Sequence, residues 1–195
     1  MRNMRLIIVD GLDGVGKDTH AQLIKERYEK KGEKVIIRSH PESDNYFGIK
    51  TKKALLGKGK VNRVKASVFY AFDVLRSIRL FYRKPQHDTI IFVRYLMGIA
   101  YLPKFSGKLA YKVFEKLVPT SDYMFFLDAS PKMLIERIKK RKEKEMFETY
   151  AALVRVRKKA LYLAKDWNII DTSQTIECTY EKIENILDRL DNYNK

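Results

Sequence analysis

The sequence predicts an α/β fold, a parallel five-stranded sheet flanked by helices in three layers. Three observations carry that expectation. Five short, mostly apolar runs are spread along the chain, as expected of strands buried on both faces. The segments between them repeat their apolar residues at helical spacing. A glycine-rich turn joins the first run to the first helical segment. Strands alternating with helices at this rhythm give a parallel sheet with right-handed crossovers.

The elements follow in order. Leu6–Val9 is an apolar, β-branched run, and beyond the turn Ala21, Ile24 and Tyr28 recur at helical spacing. Lys34–Arg38 is the second strand, and Gly57-Lys58-Gly59-Lys60 marks a turn before a helix beginning near Arg63. On that helix Ala66, Phe69, Asp73 and Arg76 share a face. Thr89–Val93 and Tyr123–Leu127 are the third and fourth strands. Ser130-Pro131 is a start signal, a capping hydroxyl before proline at the first helical position, and Leu134 and Ile138 then share a face. Trp167–Ile170 is the fifth strand, and Tyr180, Ile183, Leu187 and Leu190 mark a closing helix. No repeat or low-complexity linker interrupts the chain, so residues 1–195 read as one domain.

With 195 residues and 23.0 kDa, the chain is long enough for a substantial core. No apolar stretch approaches the roughly 18 residues of a membrane helix. Cys178 is the single cysteine, which rules out an internal disulfide and a thiolate cluster; its expected role is a buried or half-buried filler. These features predict a cytoplasmic protein without a membrane anchor. The net charge of +16 is concentrated. Asn45 to His87 holds eleven Lys/Arg and one acid, Asp73, and Lys132 to Lys159 holds eleven against four Glu. Such surfaces attract polyanions, so nucleic acid is one candidate partner. A solvated lysine face is another reading, and a site for a negatively charged small substrate a third.

The turn itself is Gly11-Leu12-Asp13-Gly14-Val15-Gly16-Lys17-Asp18-Thr19, the G-x-x-x-x-G-K spacing of a Walker A loop. Its glycines let consecutive backbone N–H groups converge on an anion, and the helix beginning near Lys17 adds its positive end. Lys17 is placed to reach the β- and γ-phosphates of a nucleotide. The bland alternative is an ordinary tight turn. The hydroxyl expected after the lysine, a Mg²⁺ ligand, is replaced by Asp18. A carboxylate beside a triphosphate is repulsive unless a cation lies between them. Asp18 is therefore read as the metal-binding residue, with Thr19 as the other source of the hydroxyl.

Beyond the loop, spaced residues resemble the thymidylate kinase family over nearly the whole length. They are Asp13 in the loop, His40-Pro41-Glu42-Ser43, Phe69-Tyr70-Ala71-Phe72-Asp73, Arg94-Tyr95, Ala100-Tyr101, Phe126-Leu127-Asp128 with Pro131, Glu136-Arg137 through Arg141, and Asn168-Ile169-Ile170-Asp171. The resemblance implies a P-loop NTPase fold, ATP and Mg²⁺ as cofactors, a basic lid over about residues 137–150, a homodimer, and dTMP as acceptor. It places Gly11, Asp13, Gly14, Val15, Gly16, Lys17, Asp18 and Thr19 around the donor phosphates and metal, and Arg137 over the adenine side. Arg141 would neutralise charge in the transition state. Arg94, at the C-terminal end of a strand where ligands bind in such sheets, would grip the acceptor phosphate. Asp13, Glu42, Phe69 and Tyr101 would complete the acceptor site, with Phe69 stacking on the base and Tyr101 on the sugar. Asp128 is expected to be structural.

The departures fall on the acceptor side. The arginine of the Pro-Glu element is Ser43, the base-reading arginine is Asp73, the acid before Arg94 is Val93, and Leu102 replaces a glutamine. A carboxylate at 73 accepts where an arginine donates, which favours an amino-bearing base; Arg76, almost one turn on, either takes over as donor or pairs with Asp73. The acid missing at 93 and gained at 18 reads as one carboxylate relocated around a metal. Two rival readings stay open: a kinase for another deoxynucleotide or a nucleoside, and an ATP- or nucleic-acid-binding protein without kinase activity.

Overall fold

A computed structural model describes residues 4–57, 59–84, 86–98, 116–139 and 149–193. Its sheet has five parallel strands in the order β2-β3-β1-β4-β5. They are β1 (Arg5–Gly11), β2 (Val35–Ser39), β3 (Thr89–Val93), β4 (Met124–Asp128) and β5 (Asn168–Asp171). Every expected strand is present, β3 with the expected bounds and the other four displaced by a residue or two at their ends. The register sets Val9 beside Val93 and Phe125, so β1 runs down the middle. Ile7–Val9, Ile90–Val93 and Phe125–Leu127 are buried completely, which accounts for their unbroken apolar character. Each such side chain stabilises the fold by about 1.5–3 kcal/mol relative to exposure.

Six α-helices are described: α1 (Lys17–Lys30), α2 (Tyr46–Leu56), α3 (Lys60–Ser77), α4 (Pro131–Lys139), α5 (Tyr150–Leu163) and α6 (Ile176–Tyr193). α3 begins three residues before the expected start, and one π-helical turn, Ile78–Tyr82, extends it. Gly57 follows the end of α2 and Gly59 precedes α3. Ser130 Oγ accepts from Met133 N–H at 3.3 Å, the predicted cap of α4, and Leu134 and Ile138 are buried as expected. On α6 the buried residues are Thr179, Ile183 and Leu187, four apart. Cys178 lies about 100° round the helix from Thr179 and is exposed, which corrects its reading as a core filler.

The opposite end of the sheet is fastened by charge. Arg5 at the start of β1 donates to Glu33 at 2.5 Å and to Thr89 at 2.8 Å, and its guanidinium lies 4.2 Å from the centre of the Tyr28 ring. Asp191 near the end of α6 accepts from the hydroxyls of Tyr28 and Tyr123. The C-terminal edge of the sheet, where Gly11, Ser39, Arg94 and Asp128 emerge, is thereby left to the loops.

Candidate active site

The glycine loop is shaped by a close approach. Gly11 has φ +145, and a Cβ there would lie 2.3 Å from the carbonyl oxygen of Leu127 on the neighbouring strand. Only glycine lets β1 turn away at that point. Gly16, in the left-handed region at φ 88, precedes α1 and aims the helix at the loop. Lys17 is buried and donates to Gly11 O at 3.0 Å and Leu12 O at 2.7 Å, with Asp13 Oδ1 at 3.6 Å. Burial, then the charge of Arg94, pushes its ammonium down to about 8, against the pull of Asp13, Asp10 and Asp18.

A residue the sequence reading passed over organises this corner. Asp10, the last buried side chain of β1, accepts from Gly11 N–H at 3.0 Å through one oxygen. Its other oxygen accepts from the N–H groups of Tyr95, Leu96 and Met97, each at 2.9 Å. Burial pushes its carboxyl up, opposed by those backbone donors and by Lys17. A carboxylate closing an apolar strand directly before a glycine loop was the available signal.

Arg94 follows β3 with φ 54, an uncommon conformation for a residue with a side chain. Its backbone is pinned from both sides: its N–H donates to Val9 O at 3.3 Å, and the Tyr70 hydroxyl donates to its carbonyl. The guanidinium then reaches back over the loop. Nη1 and Nη2 lie 3.2 and 3.1 Å from the two oxygens of Asp18, Nη1 donates to Ser39 Oγ at 3.0 Å, and Nε is 3.7 Å from Asp13. Ser39 Oγ donates to Asp18 Oδ1 at 2.6 Å. Burial alone would raise the Asp18 carboxyl, but the charge of Arg94 and the Ser39 and Arg94 hydrogen bonds outweigh it and hold it below the usual range. Asp18, expected to face a metal, thus also faces Arg94. Among the described residues no group of three or more His, Cys, Asp or Glu side chains is placed to hold an ion.

On the donor side α4 packs against the loop; a Cβ on Gly14 would meet Ile138 at 3.3 Å. Arg137 donates to Gly14 O at 3.3 Å, Thr172 Oγ1 at 3.3 Å and Thr172 O at 2.8 Å. It lines a cavity of about 230 Å³ together with Gly14, Val15, Gly16, Thr19 and Gln174. Asp128 is structural, as expected: Arg157 of α5 grips it in a two-pronged pair at 2.8 and 2.7 Å.

The acceptor side departs from the sequence reading. Asp73 is fully buried, and its oxygens accept from Glu42 N–H at 2.8 Å and Asn45 Nδ2 at 2.7 Å. Both acceptors are committed to the 41–45 loop, so this carboxylate is a strut beneath that loop and does not meet a base. Glu42 is likewise turned inward, accepting from Ser39 N–H at 2.7 Å and lying 3.4 Å from Arg38. Arg76 pairs with Asp44 at 3.8 Å, not with Asp73. Phe69 is half-buried, its ring edge-on to Tyr46 with centroids 6.1 Å apart. Lys52 of α2 donates to Ser43 Oγ at 2.5 Å and so sets a cation beside that hydroxyl, a contact with no local signal in the chain. Tyr101 and Arg141 lie outside the described residues, as does most of the expected lid.

A glycine loop around a buried lysine at the end of a central parallel strand, with a forked cation at the end of the next, defines a P-loop nucleotide phosphotransferase. Comparisons with known proteins narrow the class. The family model for thymidylate kinase matches residues 9–183. A probable thymidylate kinase from Archaeoglobus fulgidus is 28% identical over 193 residues, covering 97% of this chain and 98% of the relative. One from Sulfurisphaera tokodaii is 30% identical over 189 residues, covering 94% and 95%. Among solved structures, thymidylate kinase from Candida albicans superposes with a TM-score of 0.74 at 18% identity, covering 98% of this chain and 93% of that one. Deoxyadenosine kinase from M. mycoides, solved with dATP bound, gives 0.69 at 19%, covering 95% and 100%. The chain belongs to the thymidylate kinase family and is a nucleoside monophosphate kinase.

Proposed function

We propose that this protein transfers the γ-phosphoryl group of ATP to dTMP. The observation that carries the reading is the place of Arg94, forked, half-buried and held in an uncommon backbone conformation beside the glycine loop. Phosphoryl transfer asks little covalent chemistry of the protein, so rate comes from positioning and from fixed positive charge. Lys17 and the loop N–H groups hold the donor phosphates, and Arg137 flanks the donor base. Arg94 takes the acceptor phosphate in a two-pronged contact. Lys52, beside Ser43, supports it in place of the arginine this chain lacks. Phe69 and Tyr101 contact the acceptor nucleoside, Asp13 its sugar, and Arg141 brings the lid's charge to the transferred group.

Mg²⁺ takes oxygen ligands, usually one or two carboxylates with substrate phosphates and water. Asp18 suits that donor set, with its side chain 60% exposed at the mouth of the loop, and Thr19 follows it. When bound, the ion neutralises charge on the donor phosphates. The protein is incubated with ATP, Mg²⁺ and each ribo- and deoxyribonucleoside monophosphate in turn, with thymidine included, and ADP is measured against a blank lacking acceptor. ADP formation dependent on dTMP is expected. Turnover with thymidine instead would transfer the reading to a nucleoside kinase, and no acceptor-dependent ADP would refute both.

The protein is further proposed to be a homodimer through α3. Val61, Val64, Val68, Phe72 and Leu75 are all more than 40% exposed and recur at spacings of three and four, an apolar seam on one helix face. Val68→Glu is expected to give a monomer by light scattering; an unchanged mass would exclude this face.

A further inference from the structure

We infer that Asp18 is an internal competitor for the acceptor phosphate: its carboxylate occupies the fork of Arg94 that the phosphate needs. The inference rests on the assignment of Arg94 to an acceptor phosphate. Three elements meet at this point. Asp18 stands in the first turn of α1, Ser39 closes β2 and Arg94 follows β3. The two carboxylate oxygens face the two terminal guanidinium nitrogens at 3.2 and 3.1 Å, the parallel arrangement in which arginine also binds phosphate. Ser39 fixes the carboxylate, donating to it at 2.6 Å while accepting from Arg94 at 3.0 Å. The remaining edge of the guanidinium, Nε, lies toward Asp13 at 3.7 Å.

A phosphate at Arg94 therefore meets a carboxylate already in position. Two anions a few ångströms apart repel, so the acceptor binds in full only once Asp18 has swung away. Asp18 can move at small cost, because it is largely exposed while Arg94 is held by its backbone. Asp18 neighbours Lys17 in the donor loop, so the pair also links the two substrates. Were Asp18 to turn toward a donor-side cation, Arg94 would be released and the acceptor phosphate would gain affinity. A serine or threonine at this position would remove the competing carboxylate from the fork and leave the contacts of Arg94 to Ser39 and Asp13.

The test measures binding, not turnover. Titration calorimetry in metal-free buffer compares dTMP and thymidine on the wild type, Asp18→Asn, Arg94→Ala and the double variant. Asp18→Asn keeps the size of the side chain and removes its charge; Asp18→Ser serves as a second version should the first fold poorly. Removing a partly exposed ion-pair partner is expected to tighten dTMP by about five- to tenfold. Thymidine affinity is expected to stay constant, and the gain to vanish when Arg94 is absent. An unchanged or weaker dTMP affinity in Asp18→Asn overturns the inference. So does an equal gain for thymidine, or a gain that persists without Arg94, since either would be a general charge effect. If dTMP does not bind but another monophosphate shows the Arg94-dependent gain, the thymidine assignment fails and the role of Asp18 stands.

Discussion

His40 offers a test of the core through pH alone. Its ring is fully buried, tilted against Phe92 with centroids 5.6 Å apart and edge-on to Tyr70, and neither ring nitrogen has a hydrogen-bond partner among the described residues. Burial, with Arg38 adding to it and Asp73 opposing, pushes its pKa from 6.5 down to about 4. The folded state therefore keeps the ring neutral where the unfolded chain takes up a proton. Between those two values the unfolded state binds more protons, so stability falls as pH falls through the window. Going from about pH 7 to about pH 5 crosses 1.5 units of it, which at about 1.4 kcal/mol per unit removes about 2 kcal/mol. Urea unfolding at the two pH values measures the loss, and His40→Phe, which cannot titrate, provides the reference. The wild type should lose about 2 kcal/mol more than the variant. Equal losses would refute the reasoning, as would a ring that titrates near 6.5 by NMR.

Three further outcomes follow from the site. Lys17, pushed down to about 8, is largely neutral above that pH, and a bound polyphosphate favours its charged form. ADP binding at about pH 9 should take up a proton, and calorimetry in buffers of different ionisation enthalpy should detect it, with little uptake at about pH 6.5. Arg137→Ala removes contacts to Gly14 and Thr172 and should raise the KM for ATP by about five- to tenfold while leaving the acceptor KM unchanged; an equal rise in both would assign Arg137 to the fold. A Cβ on Gly48 would lie 2.0 Å from the carbonyl oxygen of Glu42, so Gly48→Ala must push α2 off the 41–45 loop. It should cost about 1–3 kcal/mol in urea unfolding and weaken acceptor binding, whereas Gly32→Ala, with open space but φ +83, should cost about 1 kcal/mol and leave binding intact.

The frame of this protein was legible because its signals are local. Unbroken apolar runs gave the strands, the glycine spacing gave the loop, and Ser130-Pro131 gave the start of α4. The place of Arg94 is legible for the same reason, since the end of a parallel strand is a place in the fold as well as in the sequence. The partners of charged side chains were not legible. Set against a family arginine, Asp73 suggests a change of base preference, yet its oxygens bond to residues 28 and 31 positions earlier. The neighbours of Asp18 in sequence belong to the glycine loop and point to a metal, but they give no sign that its carboxylate meets Ser39 and Arg94 from two other strand ends. Lys52 reached Ser43 because the turn into α2 folds the chain back on itself. No periodicity encodes these long-range choices.

The buried carboxylate of Asp10 has a consequence for how such an enzyme can change. It holds the first amide of the donor loop and three successive amides after Arg94 at once. The separation between the glycine loop and the segment after Arg94 is thus written in main-chain geometry, with one side chain as the common anchor. Ser43 and Lys52, proposed to lie at the acceptor, are mounted on a different segment. Exchanging them leaves the anchor at Asp10 untouched. New preferences can be tried on one side of the cleft without realigning the reaction.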